Sequence, residues 1–187
     1  MLAVFCELVL FGACAWVAWG CTRRGQGWAV LGFALLGFAA LLGALSYAGV
    51  AAVGEPHHWF STAAGRIALL LIAFAGGIGR WRVLGVLAAV AAMSLLPDKL
   101  ALAGNLAALL AIAWKGRSAR WPFAIAGVVL FASAGLLIGN HGEWLGMARL
   151  DLFHLCLAAA ALAWGAAGIG EGRLAGRSAR PELARGH

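Results

Sequence analysis

Charged residues are scarce in this chain. Asp, Glu, Lys and Arg make up 11% of its 187 residues, against 64% hydrophobic ones. Ordinary soluble chains carry about 25% charged residues. A soluble domain of this length leaves much of its surface wet and has nowhere to hide so much apolar area. The shortage excludes a soluble globule and leaves lipid as the solvent that suits the composition, with a mean hydropathy of +0.92. The length predicts one membrane domain without a sizeable soluble module.

Other absences narrow the classes. The four cysteines (Cys6, Cys14, Cys21 and Cys156) lack the paired spacing of a zinc module or a redox motif. They fall within or at the ends of apolar runs, where a free thiol behaves as a small hydrophobe. The first apolar run has no basic residues ahead of it, contains Glu7, and is followed by Arg23 and Arg24. That order predicts a retained anchor with its N-terminus outside rather than a cleaved signal. No lysine lies in the last apolar run, which excludes a retinal Schiff base there. His154 is the one histidine expected at helical depth, so a transmembrane haem pair has no second ligand. The tight metalloprotease spacing HExxH, the nucleophile elbow Gly-x-Ser-x-Gly and a rhomboid-like Gly-x-Ser-Gly are all missing.

Apolar runs cover residues 2–20, 28–53, 59–79, 83–96, 100–114, 122–139 and 150–169. A helix needs about 20 residues to cross the hydrocarbon core. Five runs meet or approach that length, and the fourth and fifth are short. The sequence therefore predicts an all-α polytopic bundle over residues 1–169 with seven transmembrane helices. A competing reading folds the fourth and fifth runs into one re-entrant hairpin about Pro97-Asp98-Lys99. Residues 170–187, polar and rich in Arg, Gly and Ala, form a flexible basic cytoplasmic tail in this reading.

Charge sets the orientation. With the N-terminus outside, inner loops and tail hold Arg23, Arg24, Arg80, Arg82, Lys115, Arg117, Arg120, Arg173, Arg177, Arg180 and Arg185, leaving Arg66, Lys99 and Arg149 outside. Basic residues mark cytoplasmic loops, so the net charge of +7 reads as topology and not as a nucleic-acid surface. Trp19, Trp28, Trp81, Trp114, Trp121 and Trp164 fall near inner ends, and Trp59 and Trp144 near outer ends, where indole prefers the headgroup layer. The frame is that of a bacterial-type inner-membrane protein with a cytoplasmic C-terminus. Abundant glycine and alanine predict close helix packing.

Chemistry-bearing residues gather on the opposite side. Glu7, Glu55, His57, His58, Asp98, His141, Glu143, Asp151 and His154 all fall toward the outer side. Glu7 lies about two turns into the first helix, and Asp151 and His154 open the last. Their spacing of three puts Asp151 and His154 on one helical face. Ionisable groups at lipid depth mark functional sites by default. The simpler alternative makes Asp151 an N-cap and His154 a hydrogen-bonding partner of a neighbouring helix. His57 and His58, after Glu55-Pro56, are assigned to the loop between helices two and three. With His141 and His154 they supply imidazoles suited to zinc.

The start of the last helix, Asp151-Leu-Phe-His154, and the end of the second, Gly43-Ala-Leu-Ser46-Tyr47, resemble the alkaline ceramidase and adiponectin-receptor superfamily of seven-helix membrane proteins. The resemblance implies hydrolysis of a lipid amide or ester and a zinc ion, with His154 as a ligand and Asp151 and Ser46 beside it as catalytic groups. The family places a second histidine four residues before His154, where this chain has Leu150, and a histidine on helix two, where it has none. Either His57, His58 and His141 rebuild the ligand set, or the chain is a relative without zinc. The expectation is an outward-facing polar pocket built by helices one, two, three and seven. The rival reading is a non-catalytic transporter, with Glu7 and Asn105 lining a path, or an accessory subunit of a membrane complex.

Overall fold

The computed structural model describes residues 1–76, 79–144 and 146–169; the tail from 170 to 187 lies outside the described residues. The described residues form seven helical rods. The first is α1 (Leu2–Arg23) and the second α2 (Gly27–Tyr47). A short 3-10 turn at Ala51–Val53 leads into the third, which runs as α3 (Gly54–Ala63), a π-helical segment at Ala64–Ala68, and α4 (Leu69–Ala73). Then come α5 (Arg80–Leu95) and α6 (Asp98–Lys115). The sixth rod, α7 (Trp121–Ser133), ends in a second π segment at Ala134–Ile138. A small antiparallel ribbon pairs Glu143–Trp144 with Met147–Ala148 and delivers the chain into α8 (Arg149–Ala167).

Among the described residues, four segments are long and apolar enough to cross a membrane: Leu2–Arg23, Gly27–Tyr47, Trp121–Ile138 and Arg149–Ala167. The rods between them fall short for different reasons. The third opens on the polar Glu55-Pro56-His57-His58 and carries Arg66 further along, which keeps it too polar. Helix α5 has 16 residues, about 24 Å at 1.5 Å per residue. Helix α6 carries Asp98, Lys99 and Lys115 within its 18 residues.

Packing follows the small residues. On α1 the buried positions Cys6, Leu10, Ala13, Cys14, Val17 and Cys21 recur at helical spacing and face α2 and α8. All four cysteines are free thiols, and those on α1 are buried core residues, as their apolar surroundings lead one to expect. Gly32 lets α2 lie directly on the third rod: a Cβ there would come within 2.7 Å of Ile72 and 2.8 Å of the Ala68 carbonyl. Small residues at such crossings let backbones approach.

The tryptophans divide. Trp19, Trp81, Trp114, Trp121, Trp59 and Trp144 are exposed, as interfacial residues should be. Trp164 and Trp28 are buried instead. Trp164 stacks on Phe131 at 5.6 Å, meets Phe33 edge-on, and donates from Nε1 to the Ala124 carbonyl at 3.3 Å. The bare backbone of Gly127 makes room for its indole. Its position near a helix end reads as a belt in the sequence, yet its neighbours on α2 and α7 make it a core residue.

Candidate functional site

Glu7 is the most buried polar or charged residue among those described. It follows from the α1 pattern: one residue after Cys6 and three before Leu10, it shares their inward face, and 1% of its surface remains exposed. Neither carboxylate oxygen finds a hydrogen-bond partner. His154 on α8 faces it, with Nδ1 standing 3.5 Å from Glu7 Oε1. The His154 side chain is nearly buried, and its Nδ1 is also without a hydrogen bond. A buried polar group left unpaired is costly. A carboxylate and an imidazole held this way, within a fraction of an ångström of bonding distance, are poised toward each other.

His57 brings a third group. The sequence assigns it to a loop, but it lies in the first turns of α3. Pro56 suits a helix start, where its missing N–H is no loss, and Glu55 suits the positive N-terminal end of the dipole. Those two residues draw the helix back over the polar stretch. The His57 ring turns inward and donates from Nδ1 to the Ala39 carbonyl on α2 at 3.2 Å, with Tyr47 edge-on to it at 6.3 Å.

Gly43 lies where these elements meet. A Cβ on Gly43 would fall on the Glu7 carboxylate and 3.0 Å from His57 Cε1. A hydrogen at that position therefore lets the carboxylate and the second imidazole reach one place on α2.

Glu7, His57 and His154 border one cavity of about 270 Å³. Its other walls are chiefly apolar: Leu10, Leu36, Leu109, Phe131 and Leu157 among them. Ser61 and Asn105 add polar atoms, and the two π segments contribute Gly65 and Gly135, both facing open space. π segments recur at functional sites, and here both contribute to the cavity lining. A concave apolar space with a few convergent polar groups is the usual form of a small-molecule site.

The other residues named from sequence are placed as follows. Asp151 is buried in the first turn of α8, one turn ahead of His154, and the N-cap position belongs to Ala148. Ser46 is half-buried in the last turn of α2, one turn beyond Gly43. His58 is exposed on α3, and its carbonyl accepts from Ser61. His141 is exposed just before the ribbon. Of the four histidines, the structure thus brings His57 and His154 to the same cavity. Among the described residues no group of three or more His, Cys, Asp or Glu is arranged to hold a metal ion.

Sequence reasoning marked Glu7 for its depth but did not join it to His154. The sequence puts both at a similar depth, one to two turns from the same predicted membrane face on the first and last helices, but does not show which sides of those helices meet. Ser61 carried no signal. Compared with models of known families, with curated proteins and with solved structures, the chain finds no match.

Proposed function

We propose that this chain is an inner-membrane protein of bacterial type. It crosses the bilayer seven times, N-terminus outside, and uses the cavity bordered by Glu7, His57 and His154 to hydrolyse a lipid amide or ester. The observation that carries this reading is the partnerless, buried Glu7–His154 pair at the edge of an apolar cavity. The apolar walls would take the acyl chain and the pair would meet the carbonyl group.

Within that site Glu7 or His154 takes a proton from water as the water oxygen attacks the carbonyl carbon. The same proton passes to the leaving oxygen or nitrogen as its bond to carbon breaks. Groups poised just outside hydrogen-bond distance of each other suit such a shuttle once they close on a substrate, and it contributes about 10²- to 10⁴-fold. His57 borders the same cavity. Two imidazoles and a carboxylate are also the donor types of hydrolytic zinc centres. As they stand here, however, His57, His154 and Glu7 do not form a metal-binding group.

The test is hydrolysis of fluorogenic acyl esters and amides by protein in nanodiscs, with elemental analysis of the same sample. Turnover lost in His154→Ala supports the reading; its absence for every acyl probe removes it. Near-stoichiometric zinc in the wild type, lost in His154→Ala, assigns the metal. Impermeant maleimide labelling of Gly142→Cys but not Ser118→Cys in intact cells supports the orientation.

A subunit role in a membrane complex is the second reading. Helix α5 favours it, since only Val86 and Met93 are buried along its length and Leu84, Leu87 and Leu95 face outward. Copurification of a fixed partner that protects α5 is the result expected from that role.

A further inference from the structure

Asn105 borders the cavity from α6, a helix that packs on α4 and α7, whereas Glu7 and His154 come from α1 and α8. It stands among leucines and alanines, with Leu102, Leu106 and Leu109 lining the same wall. Its side-chain orientation is fixed by chemistry: Nδ2 donates to the Gly65 carbonyl at 2.7 Å, and only the amide nitrogen can serve a carbonyl acceptor. Gly65 belongs to the π segment of the third rod, where the change of hydrogen-bond register leaves main-chain carbonyls open to outside donors.

This arrangement commits the other end of the amide. Asn105 Oδ1 is buried, has no hydrogen-bond partner, and belongs to a residue on the cavity wall. A carbonyl oxygen accepts and cannot donate. We propose that Asn105 Oδ1 is a specificity element that accepts a hydrogen bond from an O–H or N–H on an amphiphile entering the cavity. The recognised class is then an acyl or alkyl chain bearing a donor group, such as a hydroxyl or secondary amide, in preference to one whose polar atoms only accept. Sites built around a buried polar group reject analogues that leave it unpaired. This inference rests on the cavity receiving an amphiphile, as the proposed function requires, but not on hydrolysis.

The probes are therefore a pair that cannot be hydrolysed: dodecan-1-ol, which carries a donor, and its methyl ether, which does not. Binding is measured to protein in nanodiscs, corrected for partition into empty nanodiscs. The alcohol should bind about tenfold more tightly than the ether, as expected for one satisfied buried acceptor. Asn105→Leu should bring that ratio to about one, while Ser118→Ala, in the exposed loop before α7, leaves it unchanged. Asn105→Ser, which shortens the side chain, serves if the leucine variant fails to fold. A purely structural role for the Gly65 bond would lower Tm without altering the ratio. Equal ratios in wild type and variant, or binding of neither probe, overturn the proposal. Discrimination by Asn105 in a protein that hydrolyses no acyl probe sinks the hydrolase reading alone.

Discussion

His154 Nδ1 lies 3.5 Å from Glu7 Oε1, joining the last helix to the first through two groups that have no other hydrogen-bond partner at those atoms. Stability does not account for the pair. A buried charge that meets one imperfect partner costs more in lost hydration than it regains, and apolar replacement of such pairs is often neutral or favourable. Glu7→Gln keeps the shape and removes the carboxylate. Its Tm in detergent should therefore stay level or rise, while turnover of acyl probes falls by about 10²- to 10⁴-fold. A Tm that drops along with activity would show that the pair holds the helices together and that the loss is indirect.

Gly43 tests the geometry rather than the chemistry. An alanine methyl there overlaps the Glu7 carboxylate and presses on His57. The carboxylate must swing out of position, so activity should fall nearly as far as in Glu7→Gln. The cost in stability should be about 1–3 kcal/mol, the range for overpacking a close contact. Gly135→Ala is the matched control, because a Cβ at that cavity-lining position meets nothing within 4 Å. Similar losses in both variants would mean that Gly43 matters only as a helix residue.

Much of the fold was readable because membrane helices are written in composition. The apolar runs beginning at residues 2, 28, 122 and 150 correspond to the four segments able to span. Pro97-Asp98 was readable as a turn because Pro resists helix continuation and Asp suits a helix start. His57 and His58 misled because polar residues between apolar runs look like loop, whereas Pro56 and the dipole extend the helix across them. Trp164 misled because belt and core tryptophans have the same sequence signature; only Phe131, Phe33 and Gly127, distant in the chain, decide. The site was half visible. Depth in an apolar run singled out Glu7 and His154, but pairing across α1 and α8 depends on helix rotation, which uniformly apolar helices do not reveal. The π segments left no mark at all, since Ala-Gly-Arg-Ile-Ala is compatible with an ordinary α-helix.

Gly32 should be the most sensitive glycine in the packing of α2. Its hypothetical Cβ lies 2.7 Å from Ile72 Cγ1, 2.8 Å from the Ala68 carbonyl and 3.1 Å from the Ile72 nitrogen. The side chain can rotate away but the main chain cannot. Gly32→Ala should cost about 1–3 kcal/mol, read by chemical or thermal denaturation in detergent. Adding Ile72→Ala should recover only part of that, because the Ala68 carbonyl remains. Full recovery would locate the conflict in the isoleucine side chain and not in the approach of the two backbones.

Arg66 holds the turn between α5 and α6. Its Nη1 donates toward the carbonyls of Met93, Ser94 and Leu96 at 3.4, 3.2 and 3.0 Å, and its Nη2 pairs with Asp98 at 2.6 Å. The short ion pair looks the stronger element, but Asp98 is 93% exposed, and exposed pairs contribute about 0–1 kcal/mol. The carbonyls are at the end of α5, where the helix itself cannot satisfy them, and bonds from a charged donor are worth about 1.5–3 kcal/mol. Asp98→Asn should therefore leave amide hydrogen exchange over residues 90–100 almost unchanged. Arg66→Met should speed it by about tenfold or more, as loss of such a bond requires. Arg66→Lys should fall between them, since one ammonium cannot span three carbonyls and a carboxylate as a guanidinium does. Equal acceleration in Asp98→Asn and Arg66→Met would mean that the ion pair, despite its exposure, carries the turn.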